Sequence, residues 1–424
     1  MIAGILAGCA AEPPPGVSTD LLAAKAGADP ARSLELMREQ GERFAHQPFL
    51  PGNRVDLLIN GPASFAALAN AIRSARTRID MESYEFDDKA GGSFADILLE
   101  ARQRGVEVNL IYDAFGALDT SAALFDRLRQ GGVRVLEYNP LTPNARVPVA
   151  VNARDHRKLL CVDGRVAITG GVNISRAYQN APGPNTPTQH SADPYDAAWR
   201  DTDVRIEGPA VAQFEQYFME TWRQQKGPPL ADPPPAPRGV AGGTWVQAID
   251  GAPDNGQPLI YRTLLAAIAL SQKSVHLTTG FFVPTPDIMR ALRAAARRGV
   301  DVQVIVPGRS TSDSAVAAGR AKYGDLLEDG VMLHELQGRI LHAKTAVIDG
   351  AWSAVGSSNL DWRSTVWNNE IDAIILSTEF GGQMEAVFQA DVAASKTIGL
   401  AEWRRRGFAE RVRELKARLV ERLL

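Results

Sequence analysis

Residues 156–163 read HRKLLCVD and residues 342–349 read HAKTAVID. Each is an HxKxxxxD string followed by a glycine, Gly164 or Gly350, and each runs on to a small-residue turn ending in asparagine: Gly170-Gly171-Val172-Asn173 and Gly356-Ser357-Ser358-Asn359. A lone histidine in a strand is usually a structural residue, and a lone HxK pair arises readily by chance. His, Lys, Asp, Gly and Asn recurring at matching offsets, in a chain with only 6 histidines, instead mark a duplicated unit. Alternate residues of a strand share a face, so His156 with Lys158, and His342 with Lys344, present an imidazole and an ammonium to one side. The apolar runs behind them, Leu160-Cys161-Val162 and Ala346-Val347-Ile348, read as strands entering a core. Two such pairs brought together make a site of two imidazoles and two cations, which is suited to phosphoryl transfer.

The repeat extends well beyond the motifs. Segments 63–86 and 258–282 both show helical spacing and then a strand. A glycine-terminated helix and a further strand follow in both copies, ending at Asp113 and Gly308. Helices alternating with strands predict an α/β fold: two duplicated domains, each a mixed β-sheet flanked by helices, with one active site at their interface. The expected boundaries are a tail or tether at 1–48, a first domain at 49–226, a Pro-rich linker at 227–243, a second domain at 244–400 and a basic amphipathic helix at 401–424. An insert around Tyr178 to Ala198, rich in Pro, Asn, Gly and Ser, reads as a surface loop near the site entrance.

Composition narrows the partners. The chain has 424 residues, 45% hydrophobic content and a formal net charge of −3, ordinary for a globular protein and unlike a dedicated nucleic-acid binder. Two cysteines, Cys9 and Cys161, rule out a disulfide framework or a Cys-rich metal site. No carboxylate or cysteine cluster at ligand spacing lies near the motifs, so neither a metal nor another cofactor is expected. No run is long enough to span a bilayer. The opening MIAGILAGC resembles a bacterial lipobox ending at Cys9, although it lacks a basic start and its apolar run is short. Accident, or a lipid-attachment cysteine in a chain whose true start lies upstream, both stay open.

The paired HxKxxxxD strings resemble the signature of the phospholipase D superfamily. The stretches 152–158, 199–205 and 356–364 are similar to its bacterial cardiolipin synthase group. The resemblance spans roughly residues 50–395 and implies a phosphatidyltransferase with His156, Lys158, Asp163, His342, Lys344 and Asp349 as its signature set. It implies a phosphohistidine on His156, with His342 as general acid and base, though the near symmetry allows the two to exchange roles. Asn173, Ser357 and Asn359 are expected to donate to the phosphate. Asp201 and Glu370 are expected to hold the far nitrogens of the histidines. Asp163 and Asp349, at the other end of each strand, are expected to act structurally. The implied substrate is phosphatidylglycerol at a bacterial membrane, met peripherally or through a lipid anchor, with no nucleic-acid partner. A phospholipase D-type hydrolase and a silent membrane-surface scaffold are the competing readings. In 402–424, Phe408, Val412, Leu415, Leu419 and Leu423 recur at helical spacing among arginines, which suits either an anionic lipid surface or a helix packed on the domain.

Overall fold

The computed structural model describes residues 29–141, 153–179, 197–235, 242–251 and 258–418, together with Ser18 and 22–24. Its centre is a fifteen-stranded mixed sheet. The first half contributes β1 (Leu50–Ile59), β2 (Arg78–Ser83), β3 (Glu107–Asp113), β4 (Arg134–Tyr138), β5 (Lys158–Val162) and β6 (Val166–Gly170). After the short β7 (Trp199–Arg200) comes β8 (Thr202–Glu207). The second half contributes β9 (Thr244–Gly251), β10 (Ser274–Thr279), β11 (Asp301–Pro307) and β12 (Met332–Leu336). The short β13 (Ile340–Leu341) precedes β14 (Lys344–Ile348), β15 (Trp352–Gly356), β16 (Glu370–Leu376) and β17 (Ser395–Thr397).

The strand order is β17-β12-β11-β10-β14-β15-β16-β9-β1-β8-β6-β5-β2-β3-β4. Read outward from the β9–β1 seam, the halves repeat each other: β8 answers β16, β6 answers β15, β5 answers β14, and β2 answers β10. Beyond the motif strands, β2–β3–β4 and β10–β11–β12 run parallel because helices cross between them, while the edge strand β17 is antiparallel to β12. The motif strands are antiparallel to their neighbours. This is the expected α/β duplication, but the halves share one sheet. They also share a core, in which Val204, Phe214 and Phe218 meet Val246, Val347 and Phe380.

Two features depart from the expected organisation. Part of the segment read as a tether, 1–48, is a helix, α1 (Pro30–Ala45), capped by Asp29 and ended by His46 in the left-handed region. Its Leu36, Met37 and Phe44 recur at helical spacing and bury in the core of the second half beside Leu265 and Ile268. The apolar stripe outweighs an otherwise polar composition. The Pro-rich linker is also docked: the indole of Trp222 donates to the Pro228 carbonyl at 2.7 Å, and Leu230 packs on the shared core. Cys9 and residues 180–196 of the insert lie outside the described residues.

At the other end, α2 (Phe408–Arg418) packs against the helix Asp313–Arg320. It turns Glu414 and Ala417 inward, leaving Phe408 83% and Leu415 61% exposed. Leu419, Arg422 and Leu423 lie outside the described residues. Among those described, no helix is long and apolar enough to cross a membrane.

Candidate active site

Each motif histidine lies two residues before its strand, in a segment pinned by the opposite half. The His156 amide donates to the Asn369 carbonyl at 2.9 Å, and the His342 amide to the Arg200 carbonyl at 2.8 Å. Asn369 immediately precedes Glu370, and Arg200 immediately precedes Asp201. This backbone exchange sets the side-chain exchange. His156 Nδ1 lies 3.0 Å from Glu370 Oε2, and His342 Nδ1 lies 2.7 Å from Asp201 Oδ2. Each imidazole is therefore held by a carboxylate from the other half. Buried ion pairs across the halves, Arg157 with Asp250 and Arg200 with Asp391, brace the arrangement.

Both histidines line one cavity of about 240 Å³, together with Asn173 and Asn359. The two lysines are buried beneath it, each ammonium donating to the carbonyl of its own motif histidine. Burial lowers Lys158 to about 7 and Lys344 to about 8, against partial compensation from Glu370 and Asp201 respectively. Burial likewise lowers His156 to about 4 and His342 to about 3, and the lysine ammoniums add to it. Both imidazoles are thus held neutral at pH 7 by their surroundings. Burial alone would raise Glu370 and Asp201, but the His156 and His342 rings and the lysines outweigh it and hold both carboxylates below their ordinary values.

The remaining expected residues divide. Ser357 does not reach the cavity. It is fully buried, its hydroxyl donates to Glu370 and accepts from the Ile371 amide, and its own amide donates to the Ile371 carbonyl. It supports Glu370 and is not a phosphate donor. Its counterpart is Gly171, where a Cβ would lie 2.1 Å from Asp201 Oδ1, so only glycine lets that carboxylate approach. Asp163 and Asp349 also lie away from the histidines. Asp163 accepts from the amides of Arg76, Thr77 and Arg78, each at 2.8 Å. Asp349 accepts from Gln272, Lys273 and Ser274 at 2.9, 2.7 and 3.0 Å. Each aspartate ties its motif strand to the start of the strand beside it.

Several residues at the cavity were not singled out from sequence. Tyr84 sets its ring edge-on to His156, with centroids 5.1 Å apart, and its face lies 5.1 Å from the Lys158 ammonium. Trp199 and Tyr178 flank His342, the Tyr178 hydroxyl 3.0 Å from its Nδ1. Glu85 and Phe281 occupy matching places at the ends of β2 and β10, so the repeat is asymmetric there. Burial raises Glu85 to about 7, moderated by Lys158. Aligning the two copies, SYEF against TGFF, carried that signal. Among the described residues, no group of three His, Cys, Asp or Glu is placed to hold a metal ion.

A family model described as "Cardiolipin synthase, PLD-like domain" matches residues 68–185 and 264–392, one span in each half. A probable cardiolipin synthase of Bacillus subtilis (strain 168), YwiE, is 32% identical over 387 residues, covering 90% of this chain and 74% of the relative. Cardiolipin synthase A of Pseudomonas aeruginosa (strain LESB58) is 34% identical, covering 83% and 70% respectively. Among solved structures, phosphatidylserine synthase of Haemophilus influenzae Rd KW20 superposes with a TM-score of 0.66 at 12% identity. That match covers 92% of this chain and all of the other, and it speaks to the fold.

Proposed function

This chain belongs to the cardiolipin synthase family of phospholipase D-like proteins, and from that membership we propose how its site works as a phosphatidyltransferase. One observation carries the reading: two carboxylate-held imidazoles line a single cavity over two buried lysines. Each ring spends Nδ1 on its carboxylate, which leaves Nε2 for the substrate.

The donor is a phosphatidylglycerol whose phosphodiester lies between the lysines, with Asn173 and Asn359 as further donors. His156 Nε2 attacks phosphorus, the bond from phosphorus to the glyceryl oxygen breaks, and His342 gives that oxygen a proton, releasing glycerol. A second phosphatidylglycerol then enters. His342 takes the proton of its hydroxyl, the oxygen attacks phosphorus, the P–N bond breaks, and cardiolipin leaves. His342 must carry a proton for the first step. The arriving phosphodiester supplies the negative charge that cancels lysine repulsion and raises the imidazole's proton affinity. Water in place of the second lipid would give phosphatidic acid instead.

The substrates reside in a bilayer, so contact with a membrane surface belongs to the same reading. The exposed Phe408 and Leu415 of α2, with exposed Arg405, Arg411 and Arg413 nearby, suit an anionic lipid surface.

Purified protein with phosphatidylglycerol vesicles, its products resolved by mass spectrometry, tests the reaction. Cardiolipin and glycerol are expected, whereas phosphatidic acid as the main product would replace transfer by hydrolysis. Wild-type protein, quenched soon after mixing with lipid, should carry a phosphatidyl group on the peptide containing His156. Label on the peptide containing His342 instead would exchange the two roles.

A further inference from the structure

Beneath the motif lysine of each half lies a second, mainly apolar cavity between the sheet and the first helix of that half. In the first half it is lined by Leu68, Met81, Leu160 and Ile168, and Lys158 forms one wall. In the second half the corresponding lining is Leu264, Leu277, Ala346 and Ala354, with Lys344 as the wall. Strand register establishes the equivalence: Met81 pairs with Leu160 and Leu160 with Ile168, just as Leu277 pairs with Ala346 and Ala346 with Ala354. Two large side chains in one copy are two alanines in the other. The cavity volumes follow, about 20 Å³ in the first half and about 60 Å³ in the second. A water needs about 10–15 Å³ of such space, so the first has room for little more than one and the second for several times that.

The larger cavity is continuous in its lining with the histidine site. Asn359 and Asp361 line both. The half-buried Ile260 and Thr365 also line it. A slot walled largely by Ile260, Leu264, Leu277, Ile288 and two alanines, and closed at one side by the phosphate-binding lysine, suits a hydrocarbon chain hanging a few bonds from a phosphodiester. We propose that the second-half cavity seats one acyl chain of the lipid whose phosphate lies between Lys158 and Lys344. The proposal rests on the phosphatidyl-transfer reading and adds to it an asymmetry. The duplicated site offers one chain-binding slot, because Leu160 and Ile168 fill the other. Each methylene withdrawn from water is worth about fourfold in binding, so the slot selects for chain length.

The test carries the first half's residues into the second. Ala346→Leu and Ala354→Ile, singly and together, are compared with wild type on dioleoyl phosphatidylglycerol in mixed micelles and on bis(p-nitrophenyl) phosphate, a diester without chains. The double variant should lose at least tenfold in kcat/KM on the lipid, while turnover of the chainless diester stays within twofold. Values for both substrates within twofold of wild type, or an equal fall on both, would overturn the proposal. If the double variant does not fold, the smaller Ala354→Val step is read the same way across chains of six to eighteen carbons, where the dependence on length should flatten. Equilibrium binding of a pyrene-chain phosphatidylglycerol needs no turnover, so it judges the slot even if the transferase reading fails. Unchanged affinity in a folded variant would sink the slot on its own.

Discussion

His156 and Glu370 belong to different copies of the repeat, yet their side chains meet at 3.0 Å, and His342 with Asp201 repeats the exchange in reverse at 2.7 Å. Neither half can orient its own histidine. The backbone explains why: the segment before each histidine runs alongside the residue before the opposite carboxylate, through the Asp155–Asn369 bridge on one side and β7–β13 pairing on the other. A duplicated fold thereby becomes one site that is complete only when both copies are joined.

Glu370→Gln and Asp201→Asn should therefore impair chemistry far more than folding. Each keeps the shape and removes the anion that fixes the tautomer and steadies the imidazolium. A fall in kcat of about 10²- to 10⁴-fold is expected on the scale of such positioning carboxylates, with KM little changed. Cardiolipin formation under single-turnover conditions measures it. A loss under threefold in both variants would mean that the carboxylates do not position the rings.

Asp163→Ala and Asp349→Ala should behave in the opposite way. Each aspartate accepts three backbone amides, and truncation orphans those donors at a cost of about 2–4 kcal/mol. Both residues also sit at φ +53°, where Asn is tolerated better than Ala. A lowered denaturant midpoint is expected, largest for Ala and smaller for Asn, with kcat of the folded protein within about threefold of wild type. Folded protein with abolished turnover would return these aspartates to the chemistry.

The α/β duplication was legible because it rests on local pattern: helical spacing, strand alternation and the recurrence of the motif. The exchange of carboxylates between halves was not, because Asp201 and Glu370 lie far from their partners in sequence and only strand topology brings them together. Ser357 shows the complementary limit. Its place beside Asn359 in a Gly-Ser-Ser-Asn turn suggested a phosphate donor, but the turn points it at Glu370. Helix α1 is not legible in the sequence because its stripe acquires meaning only against the helix Leu259–Leu270 of the second half. Glu85 becomes visible when the two copies are aligned, because its counterpart Phe281 breaks the symmetry.

The buried lysines predict the alkaline side of the rate profile. Burial lowers Lys158 to about 7 and Lys344 to about 8. Each is charged below its value and loses its proton as pH rises through it, so the site sheds the cations that hold the phosphodiester. The kcat/KM for phosphatidylglycerol should fall above about pH 8, mainly through KM, with apparent constants belonging to the pair. Lys344→Arg keeps its charge at every accessible pH, so its alkaline limb should shift upward even though its maximum rate is lower. An unshifted limb in both Lys158→Arg and Lys344→Arg would assign the titration elsewhere.

The C-terminal helix offers a test of membrane contact that leaves the reaction centre untouched. It packs through Glu414 and Ala417, so Phe408 and Leu415 remain exposed for reasons that internal packing does not supply. Inserting a large apolar side chain into the interfacial region is worth up to about 1.5–3 kcal/mol when fully withdrawn from water. The double variant Phe408→Ser/Leu415→Ser should bind phosphatidylglycerol vesicles at least tenfold more weakly in a sedimentation assay, with melting temperature and bis(p-nitrophenyl) phosphate turnover unchanged. Weak salt dependence together with a large loss would assign the contact to apolar insertion, whereas strong salt dependence would give the neighbouring arginines the larger share. Undiminished vesicle binding by the double variant would remove this helix from the membrane-facing surface.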